Sequence, residues 1–142
     1  MYRHILIPTD GSELAEHGLA HGLALAKSLG ARVSVIFAVE PFPEMTGRYL
    51  ETLARYVELR REQAKSVLDR AANAAKEAGV SCETILVENE QPYQAIIGAA
   101  KDKGCDLIVM SSRGHSGFSM LLIGSVTNKV LTHAKTPVLV CQ

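Results

Sequence analysis

The residues best suited to chemistry in this sequence form a glycine-bearing segment near its end. An apolar run at 107–110 is followed by Ser-Ser-Arg-Gly-His-Ser-Gly at 111–117, by six further residues, and then by Gly124 and Ser125. Glycine lets backbone N–H groups approach a ligand because no Cβ stands in the way, and a helix N-terminus adds unpaired donors at the positive end of a dipole. The pattern predicts a strand, a phosphate-binding loop and the start of a helix.

A second polar segment follows the first apolar run of the chain. Residues 5–7 are Ile-Leu-Ile, and residues 8–12 read Pro-Thr-Asp-Gly-Ser. The Asp10 carboxylate could accept hydrogen bonds from ribose hydroxyls or help to position a metal ion, but Asp beside Gly is also typical of a simple turn. Gly114 and Gly117 are open to the same turn interpretation. The binding interpretation gains weight because both segments occur in one chain and Gly124 stands at a helix start.

The patterns that must position these segments alternate along the chain. Strand-like runs occur at 5–7, 33–39, 82–87, 106–110 and 138–141, with helical periods between them, the longest from about 48 to 78. Apolar strands joined by helical crossovers predict an α/β fold, an open five-stranded parallel sheet with helices on both faces, of Rossmann-like type. Such sheets bind ligands at the carboxyl ends of the strands, where the strand order reverses. If the first and fourth strands flank that point, the two polar segments line one crevice.

Length and charge limit the classes of partner. The chain has 142 residues, 47% of them hydrophobic, which predicts a single domain spanning 1–142. Fifteen basic and fifteen acidic side chains cancel, which argues against nucleic acid or an anionic membrane as the main partner. No stretch has the length of a membrane span or the pattern of a signal peptide. We therefore expect a soluble protein of the cytoplasm.

Neither the cysteines nor the histidines form a metal-binding or catalytic pattern. Cys82, Cys105 and Cys141 are an odd number without C-x-x-C spacing, and each lies in or beside an apolar strand pattern. This is typical of buried thiols in a reducing compartment. His17 and His21 are four residues apart, but no third ligand accompanies them. The sequence predicts no metal site made by protein side chains.

Three stretches together resemble the universal stress protein family, in its nucleotide-binding branch, and the likeness covers essentially the whole chain. Residues 5–12 and 124–140 look like the family's opening and closing segments. The family's motif is Gly, two residues, Gly, nine residues, Gly and then Ser or Thr. Gly114, nine residues and Gly124-Ser125 fit this motif, whereas Ser111 stands where the first glycine is expected. The resemblance implies the same Rossmann-like fold and an ATP site.

The resemblance also implies which residues hold the nucleotide. The adenine and ribose would be held by Asp10 and by the end of the second strand, Ala38 and Val39. The nucleoside would pack against Met110 and Ser111, although Met110 is most simply a core residue. Phosphate contacts would come from Gly114, Gly124, Ser125 and Val126. Arg113 would add charge, and the predicted site is completed by Pro8, Thr9 and Gly117.

Serine at position 111 has two interpretations. If the family's glycine is needed for a positive φ, Ser111 costs about 1 kcal/mol of backbone strain. If glycine is needed only for close approach, the hydroxymethyl group crowds the ribose or hydrogen-bonds to it. Both interpretations leave three outcomes open, namely weakened affinity for ATP, a preference for another adenine nucleotide, and loss of nucleotide binding.

The expected function is nucleotide binding without fast catalysis. The glycine-bearing segment lacks the Lys-Ser/Thr ending of a P-loop, and no second acidic segment suits a magnesium-holding strand. We therefore expect a stress-response regulator or sensor that holds ATP, or alternatively ADP or AMP, with Mg²⁺ or Mn²⁺ at the phosphates and at most slow hydrolysis. The alternative is a protein that binds no nucleotide and acts through homodimerisation or docking on a partner. An efficient phosphotransferase, a third class, is disfavoured by the same absences.

The last strand offers a surface for self-association. Residues 138–141 are expected to lie at an edge of the sheet, where unpaired backbone groups can pair with another strand. The resemblance implies a homodimer in which two such edges meet antiparallel.

Overall fold

Strands and helices alternate along the chain in the predicted order. The computed structural model describes residues 1–41, 50–113 and 123–142. Its elements are β1 (His4–Pro8), α1 (Glu13–Leu29), β2 (Arg32–Val39), α2 (Leu50–Ala78), β3 (Cys82–Glu88), α3 (Pro92–Lys103), β4 (Leu107–Ser111), α4 (Ser125–His133) and β5 (Val138–Cys141). Within these ranges, no helix combines the length and the apolar composition that crossing a membrane requires.

The five strands form one parallel sheet with the order β3-β2-β1-β4-β5. From β1 the chain moves outward through β2 to β3, then returns to place β4 on the other side of β1 and β5 beyond it. The strand order therefore reverses between β1 and β4. This arrangement confirms the predicted α/β fold and places the first and fourth strands at the reversal point.

Each face of the sheet carries its own apolar cluster. On one face, Ile5 and Ile7 of β1 pack with residues of α1 and α2. On the other face, Leu6 and Ile108 pack with residues of α3 and α4. Successive strand side chains point to opposite faces, so a strand buried on both faces is apolar at nearly every position. This is the physical origin of the continuous apolar runs in the sequence.

Helix α1 lies close to the sheet because two of its residues have no side chain. A Cβ added to Gly22 would lie 2.5 Å from Ile7 Cδ1, and one added to Gly18 would lie 3.3 Å from the backbone nitrogen of Ser111. Both distances are shorter than ordinary van der Waals contact. The first half of α1 is thereby packed directly over β1 and β4.

The end of β4 differs from the prediction. The apolar pattern ends the strand at Met110, but the strand includes Ser111, which pairs with Cys141 of β5. The pairing continues one step further, since Ser112 N donates to Cys141 O over 2.8 Å. Ser111 is therefore a strand residue, and the loop begins after it. The first strand likewise extends to Pro8, which pairs with Ile36 of β2.

Candidate functional site

The two polar segments of the sequence meet at the carboxyl edge of the sheet. β1 and β4 are direct neighbours, with Leu6 paired to Ile108, so the residues that follow Pro8 and Ser111 emerge side by side. This is the reversal point of the strand order, where open α/β sheets form a crevice. The structure brings together the segment that begins at Thr9 and the segment that surrounds Ser111.

Hydrogen bonds within the loop and to β2 fix the segment between β1 and α1. Thr9 N donates to Ile36 O over 2.9 Å, and Thr9 Oγ1 accepts from Gly11 N over 3.2 Å. Asp10 Oδ1 accepts from Ser12 N over 3.0 Å. The turn interpretation of Asp10 is therefore correct for one carboxylate oxygen. This hydrogen bond fixes the carboxylate in a turn that directly follows β1, so the turn and the binding interpretations are compatible.

Gly11 is required at the centre of this loop for two reasons. Its φ is +79°, a conformation that side chains disfavour, and a Cβ at this position would lie 2.8 Å from Val67 Cγ2 of α2. The middle of α2 thus packs directly against the loop that presents Asp10.

The start of α4 is tied to the end of β4. Gly124 N donates to Ser112 O over 2.6 Å, and Thr127 Oγ1 donates to Ser111 O over 2.9 Å. Thr127 and Ser112 are 3% and 4% exposed. Spacing alone did not point to Thr127, whose only signal in the sequence was its place in the first turn of a helix that follows Gly124.

A side chain at Gly124 would require its neighbours to shift. A Cβ there would lie 3.0 Å from Arg113 Cα and 3.2 Å from Arg113 Cβ. As the N-cap residue of α4, Gly124 has no side-chain acceptor to offer the first turn. At the N-terminus of α1, by contrast, Ser12 Oγ accepts from Ala15 N over 3.2 Å. Of these two helix starts at the carboxyl edge, α4 is the one suited to an anion.

The backbone of Ser111 is unstrained. No residue other than glycine has a positive φ within the described ranges, so the strain considered for a serine at this position does not arise. Its hydroxyl donates to Arg113 O over 3.0 Å, and its backbone and Cβ lie against α1 at Gly18. The hydroxymethyl group is thus engaged by the chain itself.

The other predicted site residues lie at the same edge or outside the described ranges. Met110 is 4% exposed and belongs to the apolar cluster beneath α3 and α4, which supports its core interpretation. Val39 ends β2, is 6% exposed and accepts from Asn89 N over 3.0 Å. Ala38, Pro8 and Val126 are half-buried. Gly114 and Gly117 lie outside the described residues.

The three cysteines are free. Cys105 is buried, and burial raises the pKa of its thiol to about 11, so the thiol is uncharged near neutral pH. Cys82 and Cys141 are half-buried instead of buried as expected, because β3 and β5 are the outer strands of the sheet. Burial raises the pKa of both thiols as well. None of these thiols is activated as a nucleophile.

In the parts of the chain that the structure describes, no three His, Cys, Asp or Glu side chains form a group that could hold a metal ion. A polar group that no sequence motif indicated lies at the amino end of the sheet. His4 and Ser34 are buried there, His4 directly before an apolar run and Ser34 inside one. A polar residue within such a run, as in Val33-Ser34-Val35, was the available signal.

Comparison with known proteins agrees with this geometry. The universal stress protein family matches residues 1–142. A universal stress protein of Methanocaldococcus jannaschii is 35% identical over 143 residues, covering 100% of this chain and 83% of its own length. A universal stress protein of Thermus aquaticus is 37% identical over 144 residues, and the alignment covers both chains completely.

Solved structures show the same fold. Universal stress protein UspA from Lactobacillus plantarum has a TM-score of 0.89 at 22% identity, with 99% of this chain and 98% of that chain covered. A universal stress protein in complex with cAMP has a TM-score of 0.75 at 24% identity, covering 99% and 97%. One from Archaeoglobus fulgidus in complex with dAMP has a TM-score of 0.75 at 22% identity, covering 99% and 98%.

Proposed function

Because the chain belongs to the universal stress protein family, we propose that it binds an adenine nucleotide, foremost ATP, in the crevice between β1 and β4. The observation that carries the proposal is the meeting of two remote segments at the reversal point. Asp10 is held there by Ser12 N, and the start of α4 is held there by Ser112 O. Such a crevice can receive a nucleoside on one side and phosphates on the other.

The phosphates are assigned to the start of α4. Gly124 leaves the first turn without a side-chain cap, so backbone N–H groups at Ser125 and Val126 are suited to donate to phosphate oxygens. The Ser125 hydroxyl adds a donor, and Arg113 adds positive charge. Gly114 and Gly117 are proposed to add backbone contacts.

The nucleoside is assigned to the ends of the first two strands and of β4. The Asp10 carboxylate accepts from ribose hydroxyls, and the base lies near Ala38 and Val39 at the end of β2. The nucleoside packs near Met110 and Ser111, and the walls of this part of the crevice are completed by Pro8 and Thr9. Two structures with this fold contain cAMP and dAMP, which are ligands of the proposed class.

We assign no fast hydrolysis to the site. Mg²⁺ or Mn²⁺ bound with ATP would neutralise phosphate charge, and Asp10 is the carboxylate closest in sequence to the proposed contacts. The loop sequence lacks the lysine that a P-loop directs at the β- and γ-phosphates. The protein is therefore proposed to act in the cytoplasm as a stress-response sensor or regulator that holds nucleotide, with ATPase activity at most weak.

A second candidate function is self-association without nucleotide. β5 is an outer strand of the sheet, and Leu139 on it is 37% exposed. An outer strand with an open backbone edge can pair with another copy of itself. We propose a homodimer through this edge, which is compatible with nucleotide binding and would also suffice for a protein that acts only by docking.

Calorimetry distinguishes the two functions. Purified protein is titrated with ATP in the presence and absence of Mg²⁺, and a parallel sample is extracted with acid and examined for adenine nucleotide. Saturable binding or co-purified nucleotide supports the nucleotide site. No heat at millimolar ATP, together with no extracted nucleotide, removes the first function and leaves the second.

A further inference from the structure

A closed ring of polar groups lies at the amino end of the sheet, at the opposite edge from the crevice. It links His4 on β1, Ser34 on β2, Glu83 on β3 and Lys103 at the end of α3. His4 Nε2 lies 2.7 Å from Ser34 Oγ, and Ser34 Oγ lies 2.9 Å from Glu83 Oε1. Lys103 contacts both ends of this chain of groups, through its backbone and through its side chain. Its carbonyl oxygen is 3.1 Å from His4 Nδ1, and its Nζ is 3.5 Å from Glu83 Oε2.

One half of this ring is shielded from water. Ser34 is 0% exposed and His4 is 4% exposed, whereas the side chains of Glu83 and Lys103 are close to half exposed. Buried polar atoms that cannot reach water must satisfy one another. The hydrogen bonds of His4 and Ser34 are therefore decided within the ring.

A count of protons shows that the ring has two arrangements. The Lys103 carbonyl can only accept, so His4 Nδ1 carries a proton in either charge state of the imidazole. The Ser34 hydroxyl has a single proton to donate. When His4 is neutral, Nε2 is an acceptor, and the one hydroxyl proton can serve either Nε2 or Glu83 Oε1. Nε2 is buried away from water, whereas Glu83 is half exposed and faces Lys103, so the neutral state is assigned the hydrogen bond from the hydroxyl to Nε2. When His4 is charged, Nε2 donates to Ser34 Oγ, and the hydroxyl donates to Glu83.

We infer that this ring is a proton-operated switch, in which protonation of His4 at Nε2 turns the Ser34 hydroxyl from His4 to Glu83. The proton comes from solvent, and no bond between heavy atoms changes. In acid the Glu83 carboxylate gains a donor, while it faces Lys103 in both states. The switch thus transmits the charge of a buried residue to a half-exposed carboxylate on the outer strand β3. It is independent of the proposed nucleotide site.

Burial and the positive charge of Arg32 place the switch below pH 6.5. Burial lowers the pKa of His4 most strongly, and the positive charge of Arg32 lowers it further. The hydrogen bond to the Lys103 carbonyl and the carboxylates of Glu83 and Asp106 act in the opposite direction without cancelling the decrease. His4 is therefore neutral at pH 7, and the switch operates on acidification.

Two further groups near the ring, Asp106 and Cys105, keep their protonation state while His4 titrates. Burial opposes ionisation of Asp106, but hydrogen bonds from the backbone N–H groups of Arg3 and His4 hold the pKa of its carboxyl below the ordinary value. Asp106 is therefore a carboxylate throughout. The pKa of Cys105 is raised to about 11 by burial, so that thiol stays neutral. His4 is the group that changes charge between pH 7 and the range in which carboxylates titrate.

Nuclear magnetic resonance on the intact chain tests the switch. The ring nitrogens of His4 and the carboxyl carbon of Glu83 are followed from about pH 8 to about pH 4.5 in the wild type and in S34A, a range that covers histidine titration. We expect a neutral His4 with its proton on Nδ1 at the start. We also expect the Glu83 carbon to shift at the pH at which Nε2 takes up its proton. In S34A that step is expected to shrink several-fold, because the hydroxyl that carries it is gone.

The outcomes that overturn the proposal are distinct. They are a Glu83 carbon that does not respond at the His4 midpoint, an equal response in S34A, and an Nε2 that is already protonated at the start. E83Q is a second test should S34A not fold, because Glu83 is half exposed and Gln keeps the accepting oxygen. Its His4 midpoint is expected to move downward, since an attractive charge is removed, and an unchanged midpoint contradicts the proposal.

Discussion

Gly124 N donates to the carbonyl oxygen of Ser112 over 2.6 Å. This hydrogen bond joins the start of α4 to the residue that follows β4. A side chain at position 124 would be crowded, because a Cβ added to Gly124 would lie 3.0 Å from Arg113 Cα. Backbone is less able to give way than a flexible side chain. The position of the α4 amides therefore depends on a glycine.

Replacement of Gly124 by alanine is expected to displace the start of α4. We expect the free energy of unfolding to fall by about 1 to 3 kcal/mol, as for other overpacked positions. ATP affinity should fall by about tenfold or more, which corresponds to about 1.4 kcal/mol. Urea denaturation and calorimetry measure the two effects.

The matched control is G98A, because a Cβ at Gly98 of α3 would meet nothing within 4 Å. It should leave affinity unchanged and stabilise the helix by about 0.5 to 1 kcal/mol.

Two replacements of Asp10 separate its role in the turn from its role in binding. D10A removes the acceptor for Ser12 N and should reduce stability by about 1 kcal/mol. It should also weaken ATP binding by about tenfold or more. D10N keeps an oxygen for Ser12 N, so it should restore the stability while recovering only part of the affinity. If D10A binds ATP as the wild type does, Asp10 is a turn residue alone.

The replacement S111G tests whether serine limits nucleotide binding. Ser111 has no positive φ to relieve, and its hydroxyl donates to Arg113 O. We therefore expect S111G to reduce stability by about 1 to 2.5 kcal/mol, through backbone entropy and the lost hydrogen bond together. Calorimetry should show little change in ATP affinity. A large gain in affinity would instead mean that the hydroxymethyl group crowds the ligand.

Stability should depend on pH through His4. Because burial lowers the pKa of His4 in the folded chain below 6.5, the folded state binds fewer protons than the unfolded state in this range. The contribution of His4 to the free energy of unfolding is thus complete above about pH 6.5. It is lost as the pH falls through the pKa that His4 has in the folded chain. The slope is at most about 1.4 kcal/mol per pH unit. Urea denaturation of the wild type and of H4Q checks this. H4Q should lose the slope between about pH 5 and pH 7, and an unchanged slope would assign it to another group.

The open edge of β5 can be blocked without disturbing the sheet. Ile108 N donates to Pro137 O and Ser112 N donates to Cys141 O, so alternate residues of β5 face β4 and the N–H of Val140 points away from it. V140P should convert the proposed dimer to a monomer in light scattering, because proline is tolerated at an edge but removes the donor. V140T keeps the N–H and should remain dimeric. A wild type that already has monomer mass across micromolar concentrations would contradict the dimer.

Local patterns were sufficient for much of this structure. The apolar runs predicted five strands, and the order of elements predicted that the segments following β1 and β4 lie side by side if these strands flank the reversal point. The end of β4 could not be predicted, because Ser111 belongs to the strand only through its pairing with Cys141 of β5. The ring at His4 was missed for a related reason. It requires the register that sets Ser34 opposite Glu83, and no local pattern encodes which residues of remote strands face each other.

The Ile7 side chain occupies the space that a side chain at position 22 would need. A Cβ added to Gly22 would lie 2.5 Å from Ile7 Cδ1, and Ile7 is 0% exposed. Alanine at position 22 therefore requires the Ile7 side chain to move or to be smaller. A relative that carries alanine at the helix position is expected to carry valine at the strand position. An alignment of relatives should show these two columns changing together while their neighbours drift independently.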